Sequence, residues 1–334
     1  MQPEHEERRP IHVAISGAAG TVGYGLLFRI AAGGMFGADQ PVALRLLEHP
    51  RQMARLRATA MELTDCAFPL LHSHSITDDP LEAFAGADWI ILLAGSPRET
   101  PRPARTDLLR RNGAIYVEHG RAINKASPAA RILAVSAPCN ANCMIAMSHA
   151  PDVPKEHWFA LNRLDAMRGT ALIAEKAGVP VGHVNRVTVW GNHSELQYID
   201  FHNAFINETP ARGLIHDVQW AHETLQAAVA RRSAEVFELR GGSPAATAAQ
   251  AILSTVRSLT MPTPFGRRFA AAVCSDGSYG VPRGLVFGFP LRTDDGRNWT
   301  IVPDLYLDEF AQTKIDRNVT ELEYEAVLAQ EWFG

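Results

Sequence analysis

Two textures of apolar and polar positions alternate through the first half of the chain. Ile11 to Ile15, Val42 to Leu47, Trp89 to Leu93 and Arg131 to Val135 are short, nearly continuous apolar runs and predict strands. Between them, Thr21 to Ala32, Gln52 to Leu63 and Leu108 to Lys125 have helical periodicity, the first closed by Gly33-Gly34. Apolar character that is continuous rather than alternating predicts burial on both sheet faces, hence a doubly wound parallel α/β sheet. Beyond Pro151 the texture changes. Arg163 to Ala177, Ala221 to Leu239 and Pro244 to Leu259 predict helices, and Val184 to Trp190 predicts a strand. Gly284 to Phe289 is strand-like, and Glu321 to Gln330 predicts a terminal helix. The expectation is a first domain over residues 1–155 and a second, α+β domain over 156–334. No Pro/Gly hinge or low-complexity linker marks the boundary, so the halves are expected to pack closely.

Bulk properties narrow the function classes. A length of 334 residues suits two domains, and 46% apolar with 20% charged residues is ordinary for a globular protein. A net charge of −4 without a Lys/Arg block gives no footprint for nucleic acid. The charged N-terminus lacks an apolar signal core, and the run from Trp89 to Ala94 is too short to span a bilayer, so no membrane partner and a cytoplasmic location are expected. Four cysteines, none in a C-x-x-C pair, argue against a zinc site and for a reducing compartment.

The first strand runs directly into Gly17-Ala18-Ala19-Gly20-Thr21-Val22-Gly23, a G-x-x-G-x-x-G turn that opens the first helix. Such glycines allow a tight turn and close approach of backbone to a pyrophosphate, with the helix N-terminus pointing its free N–H groups at the anion. Taken alone, the cluster is equally a tight strand–helix turn. The second strand, however, ends in Glu48, where a carboxylate accepts from ribose hydroxyls and repels a 2′-phosphate. Strand, glycine turn, helix and acid-terminated strand together predict a Rossmann-type domain binding NAD rather than NADP.

A proton-handling group is the next requirement of hydride chemistry. His193 follows the abrupt end of a strand at Gly191-Asn192, where histidine is either a polar loop residue or an acid/base. Its candidate partner lies in Leu161-Asn-Arg-Leu-Asp165-Ala-Met-Arg168. Asp165 and Arg168, three apart, share one helix face. They are either a surface ion pair or a carboxylate that orients an imidazole beside an arginine that reaches substrate. Arg98, Arg102 and Arg105 populate a proline-rich segment after the strand at Trp89, suited to closing over an anion.

These segments together resemble the lactate/malate dehydrogenase family, in its cytosolic-type malate dehydrogenase branch. The likeness spans nearly the whole chain through GAAGTVGYGLLFRIAAG, LLEHP, MELTDCAFPLL, DLLRRNG, PCNANCMIAM, RLDAMR, VWGNHS, PTPFG and SDGSYGVPRGLVFGFP. It implies an NAD-dependent oxidoreductase interconverting malate and oxaloacetate, with His193 and Asp165 as the proton relay. It further implies that Arg168 binds the substrate carboxylate, Arg98 the distal carboxylate, and that Arg105 polarises the carbonyl. Asn112 and His119 fall at cofactor-contact positions, His119 replacing a glutamine. A homodimer is implied, with the stretch from Met61 to Leu71 expected as an apolar helical face. Several substrate-shell positions depart from the family: Ala137 stands where an asparagine donor is usual, the arginine loop is one residue longer and proline-rich, Glu195 follows Ser194, and Pro244 replaces a serine. A paralogue acting on a different 2-oxo acid, or a catalytically silent NAD binder, therefore stays open. A short-chain dehydrogenase does not fit, because no tyrosine has lysine four residues on.

Overall fold

The computed structural model describes residues 8–97 and 99–334. Its centre is one nine-stranded sheet. Six strands are parallel and contiguous: β1 (Ile11–Ser16), β2 (Val42–Leu47), β3 (Leu71–Thr77), β4 (Trp89–Leu92), β5 (Arg131–Ala134) and β6 (Trp158–Ala160), in spatial order β3-β2-β1-β4-β5-β6. Helices α1 (Thr21–Ala31), α2 (Met53–Asp65), α3 (Pro80–Phe84), α4 (Arg105–Ala126) and α5 (Cys139–Ser148) make the crossovers. The order reverses between β1 and β4, which opens a crevice beyond their carboxyl ends. Val13, Ala14, Ile15, Ile90, Ile91 and Leu92 are fully buried, as expected of strands covered on both faces.

The second half adds α6 (Arg163–Ala177) and the short strands β7 (Val184–Asn185), β8 (Thr188–Trp190), β9 (Tyr198–Asp200), β10 (Phe205–Ile206) and β11 (Thr209–Pro210). It continues with α7 (Leu225–Arg240), α8 (Ala245–Thr260), β12 (Phe269–Cys274), β13 (Val286–Thr293), β14 (Trp299–Ile301) and α9 (Glu309–Leu328). β12, β13 and β14 join the main sheet antiparallel beyond β6, so one sheet runs through both halves. A separate core of Ile173, Val189, Ile199, Leu225, Val229 and Ala270 packs the second half.

Several elements depart from the sequence expectation, each for a physical reason. β3 reads LHSHSIT, too polar for a buried strand, because it is an edge strand with much of one face in solvent. α5 follows Pro138 with no polar face: Asn140 and Asn142 lie buried within it and bond backbone carbonyls of Val286 and Ser136. β12 is alanine-rich and takes its strand state from pairing with β6 and β13. The terminal helix starts twelve residues before the expected Glu321, at Glu309, where Asp308 Oδ1 caps the Ala311 N–H at 2.8 Å. The expected strand Val184 to Trp190 is broken at Arg186, whose φ is +59°. The stretch from Met61 to Leu71 is not one helix: α2 ends at Asp65 and β3 starts at Leu71. No helix among the described residues is long and apolar enough to cross a membrane.

Candidate active site

At the crevice, the β1–α1 turn is held against the end of β4. Gly17 has φ +70°, and a Cβ there would lie 2.7 Å from the Ala94 nitrogen, so the left-handed conformation and the close approach both require glycine. Ala18 and Ala19 are buried, and a Cβ on Gly23 would collide with the Ala18 carbonyl. α1 starts after Gly20 with no side-chain cap and no acid in its first turn, where Thr21 and Val22 lie. Its first-turn N–H groups and positive dipole end are therefore available to an anion. At the end of β2, Glu48 Oε2 accepts from the Ala19 N–H and Oε1 from the His49 N–H, each at 2.9 Å. A carboxylate has further lone pairs, so Glu48 still has acceptor capacity for hydroxyls. An uncapped helix start beside a partly exposed carboxylate fits a dinucleotide with a free ribose diol.

Asn112 and His119 lie on α4 and face inward. Asn112 Oδ1 accepts from Ser96 N–H at 2.7 Å and its Nδ2 donates to the Ala137 carbonyl at 2.9 Å, tying the loop after β4 to the loop after β5. His119 is 4% exposed, its ring edge-on to Phe84 and Tyr116, with Nδ1 lacking a partner. Burial lowers its pKa to about 4. Its placement is that of a neutral core residue, with little surface left for a direct cofactor contact.

The acid/base candidates meet. β8 ends at Trp190, and the left-handed Gly191 turns the chain so that His193 Nδ1 lies 2.5 Å from Asp165 Oδ2 on α6. Asp165 is fully buried and the His193 side chain is 25% exposed, so one ring edge is anchored while the other is open. The Asp165 carboxylate also receives Arg168 Nη1 at 3.3 Å. With its amide nitrogen turned toward Asp165, Gln197 donates to Oδ2 at 2.7 Å and to the Ser194 carbonyl at 3.1 Å. Three partners on one buried carboxylate satisfy the cost of removing it from water. The backbone N–H of His193 donates to Asn140 Oδ1 at 3.2 Å. Cys139, next to it, is an inert thiol: burial first, and then the Asp165 and Glu325 carboxylates, push it up to about 12.

The arginines divide. Arg168 Nη2 donates to Ser233 Oγ on α7 at 2.8 Å, which braces the guanidinium between two helices. Arg105, the first residue of α4, pairs through Nε and Nη2 with Glu325 of α9 at 2.5 and 3.2 Å, and its Nη1 donates to the His193 carbonyl at 2.8 Å. Arg102 lies 3.7 Å from Glu195, both exposed, a weak tie between the two loops. Arg98 lies outside the described residues. Gln197, Asn140, Glu325 and Asn192 were not foreseen. Each is a polar residue in an ordinary local pattern, and only its distance to the His193 loop in space singles it out. Among the described residues, no group of three or more histidine, cysteine or acidic side chains is placed to hold a metal ion.

Residues 11–159 match the family model of the lactate/malate dehydrogenase NAD binding domain, and residues 162–331 match its alpha/beta C-terminal domain. Malate dehydrogenase from Naegleria fowleri superposes with a TM-score of 0.92 at 37% identity, over 97% of this chain and 99% of that one. Trichomonas vaginalis lactate dehydrogenase, solved in complex with NADH and oxamate, superposes with a TM-score of 0.91 at 33% identity, over 96% of this chain and 98% of that one. The chain belongs to the lactate/malate dehydrogenase family and is an NAD-dependent 2-hydroxy acid dehydrogenase.

Proposed function

We propose that the protein interconverts malate and oxaloacetate, as a member of the malate branch of its family. The observation that carries the reading is the Asp165–His193 contact, with Arg168 on the same buried carboxylate. The first-turn N–H groups of α1 would hold the NAD pyrophosphate and Glu48 the adenosine ribose. Bound there, NAD supplies the hydride acceptor, or NADH the donor. The residues of this chain handle the rest. In oxidation, the free Nε2 of His193 takes the substrate hydroxyl proton. Asp165 holds the Nδ1–H tautomer and stabilises the imidazolium that forms. In reduction the imidazolium returns the proton to the carbonyl oxygen. Arg168 presents a braced guanidinium to the C1 carboxylate, and Arg98 would take the distal carboxylate. Arg105 keeps two N–H groups beyond those it uses internally, and these would polarise the carbonyl.

One observation favours a second reading, a dehydrogenase of another 2-oxo acid. Ala137 offers no side-chain donor where the family has an asparagine, and its carbonyl is already bonded to Asn112. The 33% identity to a lactate dehydrogenase is compatible with that alternative. The reading extends to a homodimeric, cytoplasmic enzyme. Free thiols at Cys66, Cys139, Cys143 and Cys274 suit a reducing compartment.

A panel of 2-oxo acids decides. Oxaloacetate, pyruvate, 2-oxobutyrate, 2-oxoglutarate and phenylpyruvate are compared by loss of NADH absorbance. Oxaloacetate is expected to have the highest kcat/KM. Another acid ahead of it would move the assignment to the second reading.

A further inference from the structure

The C-terminal helix α9 grips the loop that carries His193. Asn192 N–H donates to Asn318 Oδ1 at 3.0 Å, and Asn318 Nδ2 donates to the Leu196 carbonyl at 2.7 Å. Gly191, at φ +98°, lies so close to Asn318 that a Cβ would overlap its carboxamide. Asn192 Nδ2 donates to Glu321 Oε2 at 2.8 Å and to Glu325 Oε2 at 3.2 Å. Glu325 is 3% exposed and takes Arg105 in a two-pronged pair. The third nitrogen of that guanidinium donates to the His193 carbonyl.

We propose that Glu325 is a positioning residue of the active site, acting through Arg105. A bidentate carboxylate fixes the plane of a guanidinium as well as its place. With that plane fixed, Arg105 Nη1 sets the backbone carbonyl of His193, and one N–H group is left on each of Nη1 and Nη2. Glu325 thus holds the imidazole and the carbonyl-polarising group in register from a helix at the far end of the chain. Burial on its own would favour a neutral guanidine, and the Glu325 carboxylate overrides it and keeps Arg105 charged. Among the described residues, the cluster is also faced by Glu321 beside Asn192, the buried Cys139 thiol, and Asp165 with Arg168 behind the imidazole. The inference rests on the dehydrogenase reading and adds a residue to it.

The test uses Glu325→Gln, Glu325→Asp, Arg105→Gln and the Glu325→Gln/Arg105→Gln double variant in the full chain. Rates are taken per NADH-binding molecule, counted by fluorescence titration, so that a partly unfolded preparation is still informative. The expected result is a fall in kcat of about tenfold or more in both Glu325 variants, the scale of a misplaced catalytic group, with NADH affinity unchanged. Aspartate keeps the charge but retracts the carboxylate, so a residue that only neutralised Arg105 would leave kcat intact in Glu325→Asp. In the double variant, Glu325→Gln adds no loss beyond that of Arg105→Gln. Additive losses, or wild-type kcat in Glu325→Asp, overturn the proposal while leaving the dehydrogenase reading in place. A wild-type protein silent toward every 2-oxo acid removes that reading and this inference with it.

Discussion

Asp165 and His193 are 28 positions apart in sequence, on α6 and on the loop after β8, yet their side chains are 2.5 Å apart with the carboxylate fully buried. A buried carboxylate at Nδ1 fixes the imidazole tautomer and its orientation. Asp165→Asn keeps the size and loses the charge. The expected outcome is a fall in kcat of about a hundredfold or more, the scale seen when such a carboxylate is neutralised, with NADH binding retained. Steady-state kinetics with the best 2-oxo acid check it. A loss under about threefold would be too small for a residue that stabilises the imidazolium.

On the proposed reading Glu48 meets the adenosine ribose, where a 2′-phosphate would arrive, and Arg51 follows on the exposed turn beyond it. Glu48→Ser removes the repulsion and leaves that arginine free to meet a phosphate. The NADPH-to-NADH ratio of kcat/KM is expected to rise about tenfold, from roughly 1–2 kcal/mol of lost like-charge repulsion. An unchanged ratio means that some other group sets the cofactor preference.

Ala137 is half-buried, beside a loop pinned by Asn112. Ala137→Asn adds an amide donor at the turn that the proposed reading places against substrate. For oxaloacetate the expected gain in kcat/KM is about three- to tenfold, the scale of one net hydrogen bond. A decrease, with a gain for no other acid, would show that the turn does not face substrate.

His119 links acid sensitivity to the Rossmann half. Its folded pKa of about 4 lies below the ordinary 6.5 because the buried ring resists charge. Above pH 6.5 both folded and unfolded forms are neutral there, and the group has no pH-linked effect. Between about 6.5 and 4 the unfolded chain takes up a proton that the folded one refuses, so stability falls as pH falls, by at most about 1.4 kcal/mol per pH unit. His12 and His157, also lowered chiefly by burial, act in the same sense. His119→Phe keeps the edge-on ring packing and removes the titration. Urea unfolding at pH 5 and pH 7.5 is expected to show a smaller stability difference in the variant than in wild type. Equal differences would place the acid limb elsewhere.

Much of the nucleotide half was legible because its signals are local. Gly17 takes a left-handed torsion angle and Gly23 must clear the Ala18 carbonyl, both within one strand–turn–helix unit, and Glu48 ends a strand whose apolar run is plain. The second half was harder. β12 is FAAAVC, a string with helical propensity that becomes strand only because β6 and β13 flank it. α5 hides its helical period because every side is buried, Asn140 and Asn142 included. Arg105 reads as a loop arginine aimed at an anion, whereas two of its five N–H donors are spent on Glu325 of α9, 220 residues away in the chain.

What the sequence determined by itself is the chemistry on offer: a glycine turn before a helix, an acid at the end of the second strand, a histidine, an aspartate and a set of arginines, each fixed by residue type and short spacing. What only the tertiary structure decided is which of these groups touch. Gln197 and Arg168 converge on Asp165, and Glu325 takes Arg105, through contacts that no local pattern encodes. The physical reason is range. Propensity and periodicity act over a few residues, but a buried charge must find its partners wherever the packed core brings them, and that placement is a property of the whole fold.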